Sequence, residues 1–142
     1  MRKLSGEIDY FVLNIEDITE NKKSQELIWR QANFDMLTGL PNRFMFLDRL
    51  KEEIKKSHRR DASLALLFID LDRFKEVNDT LGHQTGDRLL IEAASRISSC
   101  IRESDTVSRF GGDEFTVILA QFDAAEHIEE VAQSILESLS AP

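Results

Sequence analysis

The sequence predicts an α+β fold, with helices packed over a small and largely antiparallel sheet, on three observations. First, Thr106-Val107-Ser108-Arg109-Phe110 and Phe115-Thr116-Val117-Ile118-Leu119-Ala120 are β-branched and aromatic runs separated by Gly111-Gly112-Asp113-Glu114. That pattern reads as a hairpin whose glycines supply positive φ. Second, Ser63 to Ile69 is almost continuously apolar and ends abruptly in Asp70-Leu71-Asp72, as expected of a strand buried on both faces. Third, the segments between and after these runs carry apolar residues at helical spacing, which supplies the helices that cover the sheet.

The elements follow in order. Tyr10-Phe11-Val12-Leu13-Asn14-Ile15 is strand-like but stands alone, and is read either as the end of a preceding domain or as a poorly ordered leader. From Thr19 to about Phe34 the pattern is helical, with Leu27, Ile28 and Phe34 among polar residues and too few heptads to establish a coiled coil. Trp29 reads as an ordinary amphipathic contact. A turn at Thr38-Gly39-Leu40-Pro41-Asn42-Arg43 starts a helix to about His58, with Phe44, Leu47, Leu50 and Ile54 on one face. After the apolar strand come a helical stretch from Arg73 to about Leu81 and a polar loop, Gly82 to Gly86. A helix from about Asp87 to Arg102 then carries Leu89, Leu90, Ala93, Ala94, Ile97 and Ile101. The hairpin follows. Asp123-Ala124-Ala125-Glu126 opens a last helix as a capping-box variant, with Ile128, Val131, Ala132, Ile135 and Leu139 as its buried stripe. This order fits a ferredoxin-like βαββαβ arrangement lacking its last strand.

Composition excludes several classes. The 142 residues, 42% hydrophobic and 31% charged, suit one soluble domain with a sizeable core. A formal net charge of −8 argues against a nucleic-acid partner, whose phosphates would need a basic face. One bound nucleotide needs only a few local cations. Cys100 is the single cysteine and lies on an apolar helical stripe, so it reads as a reduced core thiol of a cytoplasmic protein. No run approaches the roughly 20 apolar residues of a membrane span, and the start lacks a signal-peptide pattern. No membrane contact is expected of this segment, which leaves an anchored parent protein possible.

The acids carry the chemistry. Carboxylates at the end of a buried strand are costly unless a cation compensates them, and ligands favour strand ends in α/β sheets. If the strand ending at Asp70 pairs beside the hairpin, Asp70 meets Asp113 or Glu114. Few, hard oxygen ligands of this kind suit Mg²⁺ or Mn²⁺ rather than zinc, and a glycine turn lets phosphates approach the backbone. The plainer alternative is a tight hairpin with solvated acids.

Three segments, DMLTGLPNR, LFIDLDRFKEVNDTLGHQTGD and SRFGGDEF, in this order and spacing, resemble the GGDEF family of diguanylate cyclases from about Asp35 onward. The resemblance implies a nucleotidyl-cyclase-like domain over 35–142, ending before the family's last strand and helix. Residues 19–34 would be a linker or signalling helix. The stretch GEIDYFVLNIEDITENKK, residues 6–23, looks like the last strand and exit of a PAS sensor domain, whose tail would then be residues 1–18.

The implied activity is condensation of two GTP into cyclic di-GMP and pyrophosphate by a Mg²⁺-dependent homodimer. Asp70, Asp113 and the carbonyl of Leu71 match the family's metal ligands. Asp113 matches its active-site acid, with Glu114 in a supporting role, and Lys75 matches a lysine that neutralises phosphate charge. Asn78 and Asp87 match the guanine-reading pair, and Phe74 is placed with the substrate. His83 is read either as a substrate contact or as a loop cap, and Asp72 and Asp79 as turn or capping acids. Arg102 and Asp105 match the RxxD site through which cyclic di-GMP represses many cyclases. The family also carries phosphate-binding Lys and Arg residues further on, so the piece alone is expected to be weakly active or inactive. The competing reading is a GTP or cyclic di-GMP sensing module that regulates a following EAL phosphodiesterase domain. A purely structural dimerisation module would leave the acids unused.

Overall fold

Helix α1 spans Thr19–Asn33, α2 Arg43–Arg60, strand β1 Ser63–Asp70, α3 Phe74–Leu81, α4 His83–Ser99, β2 Thr106–Gly111, β3 Glu114–Phe122 and α5 Glu126–Ser140. The structure is a computed structural model and describes residues 12–122 and 124–142. Residues 1–11, which hold the start of the strand-like leader, and Asp123, the expected N-cap of the last helix, lie outside the described residues. Residues 12–18 carry no regular secondary structure.

Local chemistry explains the boundaries. Asn42 caps α2 by accepting from the Met45 amide at 3.1 Å. Asp61, at φ 50°, ends α2 in the left-handed region that Asp tolerates better than most residues. Gly82, at φ 85°, separates α3 from α4 by a single residue. The expected polar loop from Gly82 to Gly86 is therefore helix from His83 onward. The reason is local: the Thr85 hydroxyl turns back to the Leu81 carbonyl at 2.9 Å, and the Gly86 amide bonds the Gly82 carbonyl at 3.2 Å.

The sheet has the order β1-β3-β2 and both pairings are antiparallel. β1 and β2 therefore run parallel with β3 between them, the split βαβ arrangement that α3 and α4 bridge. Pairing places Ala65 opposite Leu119, Leu67 opposite Val117 and Ile69 opposite Phe115. This face packs with Val107 against Leu90, Ala93, Ala94 and Ile97 of α4 and Val131 and Ile135 of α5. Complete burial of Phe115, Val117 and Ile97 contributes about 1.5–3 kcal/mol per side chain.

The opposite face carries Phe68, Ser108, Thr116 and Ile118 and is covered by α2. Only Phe46 of α2 is fully enclosed; Phe44, Leu47 and Ile54, expected together on its apolar face, are 67%, 42% and 41% exposed. The helix meets the sheet through a smaller contact than its apolar residues offer, centred on Phe46 edge-on to Phe110 with ring centroids 5.5 Å apart. β1 likewise departs from expectation. It is not buried on both faces: Phe68 is 66% exposed and no residue of the strand is fully enclosed. It is an edge strand among the described residues, and α2 shields its outer face only in part. At the far end of the β1–β3 ladder, Gln121 at φ 57° absorbs the register shift between Ser63 and Leu64. Cys100 packs against the core as expected. No helix of the described residues is long and apolar enough to cross a membrane.

Candidate active site

The register brings the two acidic segments together. Asp70, the last residue of β1, lies directly opposite Glu114, the first of β3. One residue on, the Leu71 amide donates to the Asp113 carbonyl at 3.3 Å. Asp70 and Glu114 are exposed and Asp113 is half-buried, so the acids line an accessible edge.

A tight turn of Gly112 and Asp113 joins β2 to β3. Only Gly112 takes positive φ, at 48°; Gly111, expected to share that conformation, still pairs with Glu114 as the end of β2. Phe110 drops out of the ladder between Arg109 and Gly111. Its ring instead takes the Arg43 guanidinium at 4.7 Å from its centroid and meets Phe68 edge-on at 5.8 Å.

Arg109 and Asp35 hold this turn. Arg109 donates through Nε and Nη2 to the Gly112 carbonyl at 2.9 and 2.7 Å, and through Nη1 to both Asp35 oxygens at 3.0 and 3.1 Å. Asp35 also accepts from the Thr38 amide and hydroxyl at 2.8 and 2.7 Å. Burial works against the charge of Asp35, but the Thr38 and Arg109 hydrogen bonds outweigh it and hold the carboxyl below its ordinary range. Neither residue was singled out from the sequence, although an Arg next to the glycine turn and an Asp three residues before a Thr were visible signals.

The other expected site residues lie on the elements that follow β1 in the chain. The chain leaves β1 through Arg73, at φ 60°, and the Phe74 amide donates to the Leu71 carbonyl at 3.3 Å. From α3, Lys75 is exposed and makes no ion pair among the described residues, while Phe74 and Asn78 are half-buried. His83 and Asp87 lie exposed on the first turns of α4, and His83 makes no hydrogen bond among the described residues. An open groove of about 490 Å³ runs from Asp70, Leu71 and Asp72 along Leu89 and Glu92 to Leu139.

Arg102 and Asp105 lie apart, at the opposite end of β2 from the glycine turn. Five strand steps place them roughly 17 Å from it. Asp105 is buried; one oxygen accepts the Arg102 amide at 3.1 Å and the other the Ala120 amide at 3.2 Å. The Arg102 side chain is exposed, with Nη2 at 3.5 Å from His127 Nδ1.

Among the described residues no three Asp, Glu, His or Cys side chains gather to enclose a metal ion. Two carboxylates and a backbone carbonyl nevertheless fit Mg²⁺ or Mn²⁺, which keep several waters and bind substrate phosphates rather than filling an all-protein cage. The donor set fits zinc poorly, since it offers neither thiolate nor imidazole.

A family profile described as "Diguanylate cyclase, GGDEF domain" matches residues 32–142. Diguanylate cyclase TpbB of Pseudomonas aeruginosa PAO1 is 47% identical over 112 residues, covering 79% of this chain and 26% of TpbB. The GGDEF domain of TpbB superposes with a TM-score of 0.75 over 77% of this chain and 63% of that one. The bifunctional diguanylate cyclase/cyclic di-GMP phosphodiesterase MucR of the same organism is 43% identical over 121 residues, 85% of this chain and 17% of MucR. The coiled coil and GGDEF domain of Caulobacter crescentus DgcB, in complex with c-di-GMP, gives a TM-score of 0.77 at 31% identity, over 83% and 61% of the two chains. The chain thus spans about a quarter of TpbB and under a fifth of MucR. With the acidic strand end, the glycine turn and the family profile coinciding on the same residues, the chain belongs to the GGDEF domain family of diguanylate cyclases.

Proposed function

We propose that this domain condenses two molecules of GTP into cyclic di-GMP, each GTP held by one copy of a homodimer. The observation that carries the reading is the register of Asp70 with Glu114, continued by the Leu71–Asp113 hydrogen bond, beside a glycine turn that phosphates can approach.

Asn78 and Asp87 bind the guanine edge. The amide donates to O6, and the carboxylate accepts from N1–H and the 2-amino group. Phe74 and His83 border the same nucleotide, and Lys75 neutralises charge on its phosphates. Asp113 accepts the proton of the 3′-hydroxyl with Glu114 in support, as that oxygen forms a bond to the α-phosphorus of the GTP on the other copy. The bond from that phosphorus to the bridging oxygen breaks and pyrophosphate leaves. Two such steps close the ring. Asp70, Asp113 and the Leu71 carbonyl would hold Mg²⁺ or Mn²⁺, which when bound would supply charge neutralisation on the phosphates.

Cyclic di-GMP acts back through Arg102 and Asp105. The exposed Arg102 grips a product phosphate, while Asp105, holding the Arg102 and Ala120 amides, sets the turn that presents it. An upstream PAS-like sensor would act through α1, and a downstream EAL phosphodiesterase would be the partner in the competing, non-catalytic reading, which the bifunctional relative MucR keeps in view.

Chromatography of products from GTP and Mg²⁺ tests this, with the 142-residue chain, a form extended past Pro142, and Asp113→Ala in each. Cyclic di-GMP from the extended form, lost on Asp113→Ala, is the expected result. No product from a form that binds GTP and is shown to be dimeric would leave the sensing reading in its place.

A further inference from the structure

We infer that Gly86 is a positioning residue for base selection, an inference that rests on the reading of Asn78 and Asp87 as the guanine-contacting pair. A Cβ on Gly86 would stand 1.9 Å from Asn78 Oδ1, 2.9 Å from Asn78 Cγ and 3.3 Å from Phe74 Cζ. Its φ does not lie in the left-handed region, so glycine is required here for space and not for backbone conformation.

Two features produce the close approach. A single residue, Gly82, joins α3 to α4, and its amide bonds the Asn78 carbonyl at 3.0 Å. α4 therefore packs against α3 from its start, and its first turn presents the buried Gly86 to the Asn78 side chain.

The consequence is the orientation of an amide. With its oxygen against the bare backbone of α4, Asn78 turns its NH₂ group away from Gly86. That group makes no hydrogen bond among the described residues, so both of its protons remain free to donate. A purine with an oxygen at C6 accepts such a bond, whereas one with an amino group there presents a second donor. Asp87 follows Gly86 directly and is exposed, placing the acceptor for N1–H beside the donor for O6. Gly86 thus helps select 6-oxopurine over 6-aminopurine nucleotides without touching the nucleotide. A side chain there would displace the amide, because Asn78 Oδ1 occupies the space a Cβ needs.

Displacement of a fluorescent GTP analogue by GTP, ITP and ATP tests this, using wild type, Gly86→Ala, Asn78→Ala and the double variant, with thermal melts of each. Gly86→Ala is expected to lower the preference for GTP and ITP over ATP about tenfold, the scale of one lost hydrogen bond, with ATP affinity nearly unchanged. In the Asn78→Ala background, where the Asn78 side chain is gone and only Phe74 Cζ at 3.3 Å stays close, Gly86→Ala is expected to leave the preference unchanged. That pair keeps the question answerable if the single Gly86→Ala chain does not fold. Asn78→Asp, which preserves the shape but removes the donor, should lose the preference at unchanged stability. A folded Gly86→Ala protein with wild-type preference, an added loss in the double variant, or an Asn78→Asp protein that keeps its preference would each overturn the inference. Wild type without preference for GTP over ATP would instead refute the parent reading of the site, a result visible before any variant is made.

Discussion

The guanidinium of Arg109 lies between Asp35 and the carbonyl of Gly112, donating to the carboxylate at 3.0 and 3.1 Å and to the carbonyl at 2.9 and 2.7 Å. One side chain thereby ties the turn that follows α1 to the turn that presents Asp113. The Arg109 amide also bonds the Pro41 carbonyl at 3.0 Å, fastening the same two segments through the backbone.

Replacing Arg109 by Ala should cost about 1–3 kcal/mol of stability, because Asp35 and the Gly112 carbonyl lose a partner in a half-buried setting. Lysine should restore only part of it, since one ammonium cannot reproduce the fork that spans both acceptors. Denaturant unfolding measures both variants. An alanine variant as stable as wild type would show that this bridge does not hold the turn.

Asp35 also predicts a pH dependence. Its carboxyl is held below the ordinary value in the folded chain, so its contribution is present above the unfolded carboxylate range, about pH 4, and is lost as pH falls through the lower folded value. Asp35→Asn should shrink the fall in melting temperature between about pH 5 and pH 3. The same fall in both proteins would assign acid sensitivity to other groups.

The two turn glycines should not be equivalent. Gly112→Ala places a side chain at φ 48° and should cost about 1–2 kcal/mol, whereas Gly111→Ala meets neither left-handed strain nor any atom within 4 Å. Melting curves of the two variants decide this, and equal losses would contradict the turn geometry described above.

Ser108 and Thr116 face each other across β2 and β3, both fully enclosed, and neither hydroxyl has a hydrogen-bond partner among the described residues. Substituting Ser108→Ala together with Thr116→Val should leave stability unchanged or raise it by about 1–2 kcal/mol, since apolar groups of similar shape replace unpaired polar ones. Destabilisation by the pair would reveal a buried water bridging the two hydroxyls.

Arg102 and Asp105 should separate in their effects. Asp105→Ala strands two backbone amides and should cost about 1–3 kcal/mol, while Arg102→Ala, at an exposed guanidinium, should fall within about 0.5 kcal/mol of wild type. Both should relieve inhibition by cyclic di-GMP. Unfolding curves and product-inhibition assays on the same preparations distinguish the two roles.

The strands and helices were legible along the chain because their signals are local. β-branched runs, a glycine pair and apolar residues at helical spacing located the hairpin, β1 and the helices to within a few residues, except at the start of α4. The acids of the candidate site were legible for the same reason, as charged residues where apolar runs stop. What the chain could not disclose depends on neighbours distant in sequence. Exposure of β1 and of Phe44, Leu47 and Ile54 follows from where α2 settles on the sheet. The partner of Arg109 lies 74 positions away, so no local pattern couples it to Asp35. Gly86 reads as an ordinary loop glycine until α3 and α4 pack against each other and Asn78 fills the space beside it. Periodicity and turn chemistry act over a few residues, whereas ion pairs, edge exposure and close helix contacts arise only when the packed chain brings remote groups together.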